Sequence, residues 1–61
     1  MTVAYLSKML NPELRVIIQS NGERLYGLKA KDAEASEFGR YEVENFNMST
    51  VYPACVIEIH F

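Results

Sequence analysis

Cysteine occurs once in this chain, at Cys55, and histidine once, at His60. A single cysteine excludes an internal disulfide. A structural zinc site needs four ligands, so this pair is too few to build one. No apolar run approaches the roughly 20 residues that cross a bilayer as a helix. The N-terminus lacks the charged and then apolar leader of secreted proteins. With one unpaired cysteine and no such leader, the expected setting is the reducing cytoplasm. No phosphate loop, metal-ligand cluster or nucleophile–base motif is present. The chain is therefore expected to be no enzyme and to carry no cofactor and no metal.

Charge of one sign is scarce as well. The six basic residues, Lys8, Arg15, Arg24, Lys29, Lys31 and Arg40, stand singly, and the eight acids are equally dispersed around a net charge of −2. No basic stripe forms, which argues against nucleic acid as the partner. The acids are too thin for a mimic of DNA. Asn47-Met48-Ser49 matches a glycosylation acceptor, a pattern frequent by chance and without consequence in a cytoplasm.

What is present is apolar content of the globular kind. Sixty-one residues make a single small domain, 1–61. That length lies near the limit of independent folding. With no disulfide or metal available, good packing or a homodimer must supply the remaining stability.

Residues 14–28 read LRVIIQSNGERLYGL, two apolar runs around Asn21-Gly22, and predict a β-hairpin over 13–19 and 23–29. A two-residue Asn-Gly loop pairs Ile18 with Leu25 and Ile17 with Tyr26, mixing polar and apolar residues on each face. A three-residue loop with Gly22 in a bulge slips the pairing by one, which exchanges the faces. Leu14 then meets Leu28, Val16 meets Tyr26 and Glu13 meets Lys29. This register gives one apolar face, Leu14, Val16, Ile18, Tyr26 and Leu28, and is the expected one. It sets Ile17 and Leu25 together on the opposite face. Gly27, inside the second strand, marks a bulge or a close backbone approach.

Val3, Leu6, Met9 and Leu10 follow helical spacing and predict a short helix over 2–10, with Thr2 as N-cap and Pro12 beyond its end; an extended N-terminal strand is the alternative. Residues 31–37 are rich in alanine and glutamate and predict a second short helix, which Asp32 can cap. Residues 40–46 alternate, with Tyr41 and Val43 on one side, and predict a third strand; residues 47–50 read as a loop. Cys55, Ile57, Ile59 and Phe61 make the best strand face, in a last strand over 54–61 entered through Val51-Tyr52-Pro53. The expected fold is α+β: an antiparallel sheet of about four strands with short helices packed on one face.

Cys55 and His60 lie five apart on one strand and point to opposite faces, so they form no catalytic dyad. Cys55 reads as core. Glu58 and His60 share the solvated face. Among the four tyrosines, Tyr26 and Tyr41 read as core, and Tyr5 and Tyr52 as surface residues suited to an interface. The candidate contact surface is Ile17 with Leu25, extended by Val56, unless a helix covers that face.

Four stretches carry a resemblance: Asn21-Gly22-Glu23 followed by Leu25-Tyr26-Gly27, then Tyr41-Glu42-Val43, then Val56-Ile57-Glu58-Ile59. In outline, from Asn11 to Phe61, the chain resembles short proteins encoded by phages and mobile elements of Gram-positive bacteria. The resemblance implies a protein that binds and inhibits a host protein, or one that accompanies replication. The expected function is a small protein-binding module that pairs with a partner or with itself, through the Ile17, Leu25 and Val56 face or a sheet edge. The alternative is nucleic-acid binding through the sheet face by Arg15, Arg24 and Lys29.

Overall fold

A computed structural model describes residues 1–49 and 53–60. Tyr52 and Phe61, both assigned roles above, lie outside the described residues, as do Thr50 and Val51. The element order is α1 (Val3–Met9), β1 (Arg15–Ser20), β2 (Glu23–Lys29), α2 (Ala30–Ala35), a 3-10 helix (Glu37–Arg40), β3 (Val43–Ser49) and β4 (Ala54–Ile59). The α+β class holds, with four strands in the order β2-β1-β4-β3 and short helices packed on the sheet. The sheet is mixed rather than wholly antiparallel. β1 and β2 form one hairpin, β3 and β4 pair antiparallel, and β4 lies beside β1 in the same direction. The last strand is therefore central. Its two neighbours and the helices bury Cys55, Ile57 and Ile59 completely.

The hairpin follows neither simple register. Asn21 and Gly22 both take positive φ, 54° and 78°. That is the two-residue turn favoured by the twist of the strands, not the three-residue loop. Ser20 pairs with Glu23 and Gln19 with Arg24; a bulge then intervenes, and Ile18 pairs with Tyr26, Val16 with Leu28 and Ile17 with Gly27. The bulge falls at Leu25, not at Gly22 or Gly27. It shifts the partners of residues 16–18 by two from the expected pairing, and a shift of two keeps the side chains of 16–18 and 26–28 on their own faces, while Leu25 at the bulge changes sides. Val16, Ile18 and Leu28 therefore share the helix-covered face as expected.

In α1, Thr2 Oγ1 accepts a hydrogen bond from the Tyr5 amide at 3.2 Å, the N-cap expected of it. Val3, Leu6 and Ser7 are buried, with Leu10 partly so. Met9 is 66% exposed and departs from the expected stripe. At about 100° per residue it lies some 120° around the helix from Val3. α2 begins at Ala30, earlier than expected, with Lys29 rather than Asp32 at the N-cap and no side-chain capping bond. Ser36 caps the 3-10 helix by accepting from the Phe38 amide. Gly39 is buried where this turn meets α1. A Cβ there would lie 2.9 Å from the Glu34 carbonyl oxygen and 3.3 Å from Ala4 Cβ.

The third strand starts three residues later than the alternation in 40–46 predicts. Arg40 closes the 3-10 helix, and Glu42 makes an isolated bridge to Thr2. The N-terminal segment holds this stretch: the Val3 amide donates to the Tyr41 carbonyl at 2.9 Å, and the Val43 amide to the Met1 carbonyl at 2.8 Å. Asn47, Met48 and Ser49, expected in a loop, instead pair with Val56, Cys55 and Ala54. Pairing with a well-buried central strand outweighs the weak strand preference of asparagine.

Candidate functional site

Side chains on paired residues of neighbouring strands project to the same side of a sheet. The register thus assigns both faces. Val16, Ile18, Tyr26, Leu28, Val43, Phe46, Met48, Cys55, Ile57 and Ile59 face the helices. Arg15, Ile17, Gln19, Arg24, Gly27, Asn45, Asn47, Val56 and Glu58 form the open face.

The structure brings Ile17 and Val56 together as direct neighbours across β1 and β4. It does not bring Leu25 to them. Ile17 stands opposite Gly27, and Leu25, displaced by the bulge, packs against the helix-side core. Nor is Ile17 an exposed apolar residue, being only 8% accessible. It lies in a depression of about 260 Å³ lined by Arg15, Arg24 and Gly27. A Cβ on Gly27 would lie 3.4 Å from Arg15 Nη1, an ordinary contact with the end of a flexible side chain. Neither the bulge nor the close backbone approach expected of Gly27 is found at it. The expected Ile17, Leu25 and Val56 patch is replaced by a mostly polar face with a buried apolar floor.

Elsewhere on this face the Glu58 carboxylate accepts from Gln19 Nε2 at 2.8 Å and from the Gly22 amide at 3.4 Å, tying the hairpin turn to β4. Glu58 does not pair with His60, whose Nδ1 lies 3.6 Å from Glu44 Oε2. Lys29 Nζ, one of the three cations offered to nucleic acid, lies 2.9 Å from Glu13 Oε1, and Lys31 Nζ lies 3.1 Å from Oε2. These hydrogen bonds and charges hold the Glu13 carboxyl below its ordinary range, and Glu13 raises the Lys29 ammonium. Among the described residues, only Arg15 and Arg24 of that trio are left without an acidic partner.

Cys55 is fully buried, and burial pushes its thiol up. A buried, protonated thiol is a core residue and no nucleophile. Among the described residues no group of three His, Cys, Asp or Glu could hold a metal ion, and no helix is long and apolar enough to cross a membrane.

Apolar exposure is found on the other side of the molecule. The helices stop short of the outer strand, leaving Phe46 45% and Met48 49% exposed although both face the helix side. Sequence alternation missed Met48 because it ended the third strand at Phe46, and it missed Phe46 because the irregularity at Glu44 brings that residue to the side of Val43. Along the N-terminal segment and α1, Met1, Tyr5 and Met9 recur every fourth residue and are all exposed, so Tyr5 is the surface residue it was expected to be. Tyr26, expected in the core, is 55% exposed and touches Phe38 with a ring-centroid distance of 5.9 Å. Tyr41 lies outside β3 and packs against the core beside Phe38. Comparison with protein-family models, curated proteins and solved structures finds no match to this chain.

Proposed function

We propose that this chain is a small protein-binding module that works in the cytoplasm as an accessory protein, of the interaction or inhibitor type that phages and mobile elements encode. The observation that carries the reading is the outer strand β3. It is an edge strand with two half-exposed apolar side chains, Phe46 and Met48, on a stretch without charge. An edge strand offers its backbone to a partner strand, and adjacent apolar side chains add selectivity. The fit to protein is better than to nucleic acid. Lys29 is engaged by Glu13, and among the described residues the two remaining arginines have no aromatic lining their depression.

The test replaces Phe46 and Met48 together with serine. The double variant is expected to keep its circular dichroism spectrum and lose the partner that the wild-type chain retains on an affinity column. Retention of that partner at wild-type strength places the contact elsewhere. Binding to an oligonucleotide that weakens steeply with salt supports the nucleic-acid reading instead.

A further inference from the structure

The two edges of the sheet are built differently. β2 carries the bulge at Leu25, the charged residues Glu23, Arg24 and Lys29, and a glycine. These are the features by which proteins blunt an edge against further pairing. β3 has one irregularity, at Glu44, and its start is occupied by the N-terminal segment, since the Val43 amide donates to the Met1 carbonyl. Beyond it, residues 45–49 read NFNMS. They hold a regular register with β4 and contain no charge, no proline and no bulge. Among the described residues no strand lies beyond them.

Residues 46–48 of this stretch are self-complementary about Asn47. An antiparallel copy centred there sets Asn47 against Asn47 of the second copy, Phe46 against its Met48, and Asn45 against its Ser49. Apolar residues meet apolar ones on the helix side, and the two Asn47 amides meet on the open side. A thioether beside an aromatic ring is a favourable contact. In a chain of net charge −2, this is a stretch of edge that brings no acid against an acid. Centring on Phe46 instead sets Glu44 against Met48 and drives the bulge and the N-terminal segment into the partner.

We infer that residues 45–49 pair with the same residues of a second copy, antiparallel and centred on Asn47, making a two-fold dimer through β3. This rests on the reading of β3 as the contact edge and names its occupant. The contact is isologous and closes on itself, and the blunted β2 edge at each end stops the joined sheet from growing.

The test is sedimentation equilibrium on the wild-type chain, Phe46→Lys, Met48→Glu and the double variant, with circular dichroism melts on each. The wild type is expected to be dimeric. Each single variant should dimerise about tenfold more weakly or worse, since the two-fold loses both apolar pairs. The double variant should regain most of the loss, because the introduced lysine of each copy then faces the introduced glutamate of the other. Should a variant fail to fold, the wild type alone decides through an isotope-filtered contact between the Phe46 ring and the Met48 methyl of different copies. A wild-type dimer indifferent to both single changes overturns the inference, as does a double variant no stronger than the singles. A wild-type monomer at every concentration also overturns it, while leaving β3 as the edge for a different protein; loss of partner capture in the serine variant then still supports the broader reading.

Discussion

Phe46 of β3 lies directly opposite Ile57 of β4 on the same face of the sheet, yet Ile57 is fully buried and Phe46 is 45% exposed. The helical cover ends between them, one strand short of the edge. Ile57→Ala should therefore cost about 3 kcal/mol, the usual range for a large aliphatic core residue. Phe46→Ala should cost about 1 kcal/mol, since roughly half of its surface is in water already. Urea denaturation at a concentration low enough to keep the chain monomeric measures both. Equal losses would mean that Phe46 belongs to the core.

Gly22 and Gly39 are required for different reasons, and alanine separates them. At Gly22, with φ 78°, nothing lies within 4 Å of an added Cβ, so the cost is backbone strain alone, about 1 kcal/mol. At Gly39 the backbone is ordinary but the added Cβ meets the Glu34 carbonyl at 2.9 Å. Overpacking there should cost about 2 kcal/mol and loosen the join between the 3-10 helix and α1. Thermal melts of the two variants, compared with Gly27→Ala as a milder control, check the order.

Much of the fold is legible in the sequence because local chemistry and tertiary structure agree. Thr2 caps α1, Asn21-Gly22 makes the turn, and the alternation in 54–59 gives the buried strand. The even-numbered face of the hairpin is legible even though its partners are not. A slip of two residues preserves faces, and no residue type signals a bulge at Leu25. The start of β3 is hidden because residues 40–42 alternate like a strand, but Arg40 closes the 3-10 helix and Tyr41 and Glu42 are held by the N-terminal segment, a contact between distant parts of the chain. The parallel pairing of β1 with β4 has no local signature. The contact surface shifts for the same reason: Ile17 looks exposed until the arginines beside it are placed.

Ser7 is buried in α1, and its hydroxyl has no hydrogen-bond partner among the described residues. An unsatisfied buried hydroxyl is costly, and alanine is the better helix former. Ser7→Ala should stabilise the chain by about 1 kcal/mol, read as a higher midpoint in urea. A loss of stability would show that the hydroxyl is satisfied in solution.

Glu13 binds its proton more weakly in the fold than in the unfolded chain, because Lys29 and Lys31 hold the carboxylate. The stabilisation it contributes is present above the unfolded value of about 4.3 and is lost as pH falls through the lower folded value. Glu13→Gln should flatten the decline of stability below about pH 4.3. The group is exposed, so salt should shrink the difference. An acid limb unchanged by the substitution would show that the cluster is not formed in solution.

The proposed function and the proposed dimer both rest on the outer edge of β3. The most direct measurement is the amide spectrum of the 15N-labelled chain over a dilution series. Signals of residues 45–48 should move or broaden with concentration while those of β2 and the Arg15–Arg24 depression stay fixed. Amides of β3 that hold still while β2 or the open face responds would contradict it.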